Sequence, residues 1–334
     1  MHRNDGAMVG TSAELLYLSR ANVEEVDLPM KEIIIAVEQV FKEKGEGRIE
    51  MPPKPGIHPV KDSFIHAMPA YVSGMKAAGM KWVSGFPENY KKGLPYISGL
   101  LILNDPETGI PISVMDCAWI TAMRTGAATA VAAKYLARKD SGVMGMLGCG
   151  VQGRTNLGAI KVAFPKLSMV SAYDIDSKVL ARYAKDMEKE HGVKVILATS
   201  PRKAVEGSDI VVTAGPILKH PSPVIEPSWF KKGGFACPLD FDSYWRNDAM
   251  QLVDKFCTDD RNQLEYYKTV GYFGGIPKVH ADLGEIVTAR KRARETDDER
   301  IISMNLGVAI EDMATAIRIY GRAKTKGVGT WVSL

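Results

Sequence analysis

The sequence predicts an α/β protein whose second half folds as a parallel, doubly wound sheet. Three observations predict it. Short apolar runs alternate with helical segments after Asp140. Between residues 62 and 115, four strand-like runs follow one another through tight turns. A glycine-rich turn, Gly148-Cys149-Gly150-Val151-Gln152-Gly153, stands where the first strand of the alternating half gives way to a helix.

In chain order, a polar N-terminal stretch comes first. "MKEIIIAVEQVFKEKGEG" then reads as a helix with Ile33, Val37 and Phe41 on one face and a stop at Gly45 and Gly47. "MPPKPGIHP" is too rich in proline to be anything but an extended loop. "SFIHAMPAYV", "GMKWVSGF", "SGLLILND" and "GIPISVMD" are strands of an antiparallel or mixed sheet. "WITAMRTGAATAVAAKYLAR" is a helix whose small residues, Gly126 among them, allow close approach to another element. Strands at "GVMGML", "LSMVSAYD", "VKVILA", "DIVVTAG" and "GGFACPLD" alternate with helices at "VQGRTNLGAIKVAF" and "SKVLARYAKDMEKE". The last helix, "NLGVAIEDMATAIRIYGRAKTKG", ends at Gly327.

Composition narrows the function. The 334 residues carry 43 basic and 39 acidic side chains, a formal charge of +4. With no long basic run, nucleic acid is not the expected partner. Cys117, Cys149, Cys237 and Cys257 are far apart and form no CxxC pair, so neither a disulfide framework nor a metal site is expected. No signal-like pattern and no run of about 18 apolar residues appears, so a reducing cytoplasm, without a membrane, fits best.

The glycine turn has the G-x-G-x-x-G spacing between a strand and a helix. Gly148 makes the tight turn, Gly150 lets a pyrophosphate approach the backbone, and Gly153 lets the helix sit on the sheet. An anion is then favoured at the helix N-terminus, beside Val151 and Gln152. Asp174, ending the next strand, is placed to bond the ribose hydroxyls, which favours NAD; Arg154 could reach a 2′-phosphate, so NADP stays open.

"MPAYV", "MKWVSGFP", "LILNDPETGIPISVMD", "ITAMRTGAATAVAAKYLAR", "LGCGVQGRTNL" and "NLGVAIEDMA…GVGT", in this order, resemble the ornithine cyclodeaminase/mu-crystallin family from about Ile33 to about Thr330. The resemblance implies a homodimer. It also implies a Rossmann-type dinucleotide-binding domain, residues 126–314, inserted in a mixed α+β substrate-binding and dimerisation domain, residues 1–125 and 315–334. It further implies that Arg48, Met68, Lys81 and Arg124 line the substrate pocket and that Asp242 is the acid–base carboxylate, with Asp240 as competitor. Thr125, Gln152, Thr213 and the turn from Asn305 to Val308 then contact the cofactor, and Asn305 is larger than the residue the cyclodeaminases carry there.

This set suits a small α-amino or α-imino acid. Arg48 and Arg124 offer guanidinium forks for a carboxylate. Lys81, between Met80 and Trp82, would have a lowered pKa in a partly dry pocket and take part in proton transfer. Asp242 would stabilise charge on the substrate nitrogen. The side-chain pocket is expected near His66, Tyr71, Trp82, Tyr244 and Trp245. The family's cyclodeaminases carry a glutamate for the far amine where this chain has His66. An NAD(P)-dependent amino acid dehydrogenase or imine reductase is therefore the preferred reading, with cyclodeamination of ornithine second. A mu-crystallin-like protein that binds NAD(P)H and a small ligand is the third; it would not require the charged set.

Overall fold

The computed structural model describes residues 13–334; the first 12 residues of the polar N-terminal stretch lie outside them. The N-terminal lobe opens with strand β1 (Glu14–Leu18) and two helices, α1 (Arg20–Glu25) and α2 (Met30–Gly45). Ile33, Val37 and Phe41 are fully buried, and α2 stops at the predicted glycine. Strand β2 (Ile49–Glu50) precedes the proline-rich stretch and β3 (Gly56–Ile57) lies within it. The second of these departs from the predicted loop because Gly56 and Ile57 pair with His66 and Ile65. Strands β4 (Phe64–Val72), β5 (Ala77–Gly85), β6 (Ile97–Asn104) and β7 (Pro111–Asp116) form an antiparallel meander. β1 adds to β7 in parallel, so the sheet is mixed.

Helix α3 (Ala118–Leu136) leads into the second lobe. There follow β8 (Val143–Leu147), α4 (Val151–Ala163), β9 (Met169–Tyr173), α5 (Ser177–His191) and β10 (Lys194–Leu197). The chain continues through α6 (Pro201–Val205), β11 (Ile210–Thr213), β12 (Phe235–Pro238), α7 (Asn247–Gln251) and β13 (Lys255–Thr258). Then come α8 (Arg261–Thr269), β14 (Ala281–Asp282), α9 (Leu283–Val287) and β15 (Ile301–Met304). Helix α10 (Ala309–Lys326) returns to the first lobe, where β16 (Thr330–Ser333) pairs with β1.

The second sheet is 8-stranded, in the order β10-β9-β8-β11-β12-β15-β13-β14, and every pairing is parallel. It is a Rossmann-type sheet. Residues of β11, β12, β13 and β15 are buried throughout, as expected for strands covered on both faces. The strand order reverses beside β8, so the crevice at the carboxyl ends of β8 and β11 is where a ligand belongs.

Helices α3 and α10 span the positions at 125/126 and 314/315 where the sequence divides the domains. The small residues of α3 do allow a close approach. A Cβ on Gly126 would come within 2.6 Å of the Thr155 carbonyl oxygen on α4. The helix that follows the glycine turn is thus packed against the helix that carries Arg124.

Candidate active site

The glycine turn leaves β8 at Gly148, whose φ of +92° suits glycine. A Cβ on Gly153 would lie 2.2 Å from the Gly148 carbonyl oxygen, so α4 packs directly on the turn. A Cβ on Gly150, in contrast, would have nothing within 4 Å. That position faces open space at the N-terminus of α4, beside exposed Val151 and half-buried Gln152. Asp174 ends β9 with one carboxylate oxygen accepting from the Cys149 amide at 2.8 Å and the other from the Asp176 amide at 2.9 Å. Arg154 is paired to Asp186 at 2.7 Å. An open approach at the middle glycine, a helix N-terminus and an acid at the end of the next strand together fit a dinucleotide.

Farther along the carboxyl edge of the same sheet, where Asp259 follows β13 and Gly307 follows β15, six buried charges converge from both lobes. Strand alternation puts Lys81 on the inner face of β5, opposite Met68 of β4. Lys81 is fully buried; its Nζ donates to Asp312 Oδ1 at 2.7 Å and Thr121 Oγ1 at 3.3 Å. Arg124, on the same turn of α3 as Thr121 and Thr125, donates to Glu311 at 2.5 Å and lies 3.1 Å from Asp312. Glu311 and Asp312 occupy the first turn of α10, where the helix dipole favours acids. Lys54 enters from the proline-rich loop. Its Nζ donates to the carbonyls of Leu306 and Gly307 at 2.7 and 2.8 Å, and lies 5.4 Å from the centroid of the Tyr267 ring. The Gly307 amide in turn donates to Asp259 at 2.7 Å. Gly307 has a φ of +73°, and a Cβ there would meet Arg124 Nη1 at 2.6 Å, so this turn is packed against the guanidinium.

Burial sets the proton affinities. It pushes Lys54 down to about 7, with help from the Arg124 charge, and pushes Lys81 down for the same two reasons. Glu311 is pushed up to about 7 and Asp259 is also raised, in both cases chiefly by burial. Burial opposes the Arg124 charge, but Asp312 and Glu311 outweigh it and keep the guanidinium ionised. Glu311 Oε1, Asp312 Oδ2 and, at the end of β15, Asn305 Nδ2 have no protein partner among the described residues, which leaves polar capacity for ligands.

Several expected residues lie elsewhere. Arg48 does not reach the cluster. It follows the end of α2 and folds back onto that helix's acids, pairing with Glu43 at 2.8 Å and with Glu46, and it is half exposed. Asp242 does not face Lys81 and Arg124 either. It lines a separate cavity of about 600 Å³ with Lys219, Arg246 and Tyr272. Asp240 takes the place at the end of β12. It is fully buried, accepting from Thr213 Oγ1 at 2.6 Å and the Gly215 amide at 2.8 Å, and burial pushes it up to about 7. Tyr71 and Trp82 alternate onto the opposite face of the first sheet from Lys81 and do not shape the pocket. Met68 is core, as is Val308, which caps α10. His66 shares the inner face with Met68, stacks on Phe64 at 4.3 Å, and is held neutral, its pKa pushed to about 3 by burial and then by Lys54 and His58.

Sequence reading missed Lys54. The signal available was its setting in Pro52-Pro53-Lys54-Pro55: the prolines hold the backbone extended and aim the side chain inward. It also missed the acids Asp259, Glu311 and Asp312.

The "Ornithine cyclodeaminase/mu-crystallin family" model matches residues 14–327. The chain belongs to this family. Within it, the alanine dehydrogenase of Archaeoglobus fulgidus is 35% identical over 95% of this chain and 98% of its own. The solved Thermococcus litoralis Δ1-pyrroline-2-carboxylate reductase, in complex with NADH and L-proline, is 35% identical, covers 95% of this chain and 99% of its own, and superposes with a TM-score of 0.85. An archaeal alanine dehydrogenase dimer with bound NAD is 33% identical over 96% of this chain and all of its own, with a TM-score of 0.86. The family's fold and its dinucleotide-dependent dehydrogenases and reductases thus agree with the crevice described above.

Proposed function

We propose that this chain is an NAD(H)-dependent oxidoreductase that interconverts a small α-imino acid and the corresponding α-amino acid. The observation that carries the reading is the convergence of Lys54, Lys81 and Arg124, all buried, farther along the carboxyl sheet edge that carries the glycine turn. NAD(H), when bound along Gly148–Gly153 with its ribose at Asp174, supplies or accepts the hydride at the substrate's α-carbon. Thr125, Gln152, Thr213 and Asn305 would contact it, and Asn305 Nδ2, without a protein partner among the described residues, would be free to donate to it. Lys54 and Arg124 hold the substrate carboxylate, Lys54 through the N–H not engaged by Leu306 and Gly307. Lys81 moves a proton to or from the substrate nitrogen, with Asp312 as its partner. His66, neutral, provides no anion for a second amine, which supports a reductase or dehydrogenase over a cyclodeaminase. The four cysteines are free thiols, which suits a reducing cytoplasm; among the described residues no helix is long and apolar enough to cross a membrane.

Two tests follow. With NADH and a cyclic α-imino acid, or pyruvate plus ammonia, absorbance at the nicotinamide band falls; redox-neutral release of ammonia from ornithine alone would reverse the assignment. The pH profile locates the anchor. Lys54 is an ammonium below about pH 7 and loses its charge above it, so kcat/KM for the acid falls on the alkaline side, about tenfold per pH unit. In Lys54→Arg, whose guanidinium stays charged, that limb moves to much higher pH whatever the absolute rate. A limb that stays in place assigns the titration to another group.

The outer face of the first sheet exposes Tyr17, Trp82 and Leu100, with Met80 and Ile102 beside them. A contiguous apolar patch of this kind marks an interface, and we read it as the homodimer contact. Trp82→Lys combined with Leu100→Lys yields a monomer in sedimentation; a dimer that survives both changes moves the interface elsewhere.

A further inference from the structure

The segment Asp240-Phe241-Asp242-Ser243-Tyr244-Trp245 leaves the carboxyl end of β12, and its last three residues take no part in the cluster around Lys81. Its backbone is tied down on both sides of Tyr244. The Tyr244 carbonyl accepts from the amides of Val224 and Ile225 at 2.9 and 2.8 Å. Ser243 Oγ accepts from the Leu218 amide at 3.1 Å. Trp245 is fully buried, edge-on to Phe230 with ring centroids 5.2 Å apart. The half-buried Tyr244 ring is therefore presented from a rigid base.

That ring lies on Gly215, at the carboxyl end of β11. A Cβ on Gly215 would sit 2.4 Å from Tyr244 Cε2 and 2.6 Å from its hydroxyl oxygen. Gly215 borders the first glycine of the turn: a Cβ on Gly148 would come 3.2 Å from the Gly215 nitrogen. Burial, and then the carboxylates of Asp240 and Asp174, push the phenol up to about 12, so it remains a protonated donor. The ring thus stands over the ends of β8 and β11, between the acid that closes β9 and the acid that closes β12. A dinucleotide held at Asp174 and the glycine turn would meet this ring.

We propose that Tyr244 is the outer wall of the dinucleotide groove, its ring packing on the ribose–pyrophosphate segment of NAD(H) and holding it against the glycine turn. The proposal rests on the reading that NAD(H) occupies that turn. A ring fixed before binding adds contact with little ordering to be lost on association. Its hydroxyl adds a donor for a ribose or phosphate oxygen.

The test is titration of the full chain with NADH, read by energy transfer from its tryptophans, beside steady-state kinetics. Tyr244→Ala raises the Kd and KM for NADH about tenfold, while kcat at saturating cofactor and KM for the imino acid stay within about twofold of wild type. Tyr244→Phe, which keeps the ring and loses only the hydroxyl, raises the Kd by less than Tyr244→Ala does. A Tyr244→Ala protein that binds NADH as tightly as wild type, or more tightly, overturns the proposal and leaves the cofactor reading intact. A wild-type chain that does not bind NADH defeats the cofactor reading and the proposal with it. If Tyr244→Ala does not fold, Tyr244→Leu, which keeps an apolar side chain but no ring, carries the same criteria.

Discussion

Replacing Lys81 with methionine lowers kcat/KM for the imino acid by about 10³ and leaves the Kd for NADH within about threefold of wild type. The size of the loss follows from the setting. Lys81 is fully buried, its charge is opposed by burial and by Arg124, and its one carboxylate partner is Asp312 at 2.7 Å. Such an ammonium gives up its proton more readily than a surface lysine. Methionine keeps the volume, so packing against Met68 and α3 changes little. Asp312 keeps Arg124 as a partner at 3.1 Å, which limits the damage to folding. Cofactor binding is the control: the glycine turn lies elsewhere along the same sheet edge. If NADH affinity falls as far as turnover, Lys81 acts through the architecture, not through the chemistry.

The second large effect separates two glycines three residues apart. Gly153→Ala places a methyl 2.2 Å from the Gly148 carbonyl oxygen, backbone against backbone, so neither side can rotate away. Helix α4 is pushed off the turn, at a cost of about 1–3 kcal/mol in stability, and NADH affinity drops with it. Gly150→Ala meets nothing within 4 Å, and its extended backbone suits alanine. That variant keeps the wild-type Tm and still binds NADH at least about tenfold more weakly, because the methyl fills the space a phosphate needs. Thermal unfolding and NADH titration of the two proteins decide it. Equal affinity of Gly150→Ala and wild type would place the pyrophosphate somewhere else.

The dinucleotide half was readable because its signals are local. A strand, a glycine turn, a helix and an acid at the next strand's end occupy 32 consecutive residues from Val143 to Asp174, and each obeys a short-range rule. The substrate end was only half readable. Lys81 and Arg124 interrupt periodic apolar segments, so their oddity shows. Lys54 sits in a coil, where no period exists to break. Glu311 and Asp312 look like ordinary acids in the first turn of a helix, and only the fold reveals that α10 buries that turn against β5. Arg48 illustrates the converse: a basic residue near the right place in sequence, captured by Glu43 and Glu46 on the helix it follows. Asp240 and Asp242 are two apart on a segment that bends, and no pattern in the chain says which one turns inward.

The six-charge cluster also limits how this chain can diverge. Three basic and three acidic side chains are buried there together. A neutral replacement that leaves a carboxylate or cation there with no remaining counter-charge strands it away from water, at a cost of several kcal/mol; Lys81→Met is spared because Asp312 keeps Arg124. Lineages descending from this protein should therefore exchange these positions in matched, opposite-sign pairs, and should explore new specificities through uncharged neighbours such as Tyr267, beside Lys54, long before they alter the ions themselves.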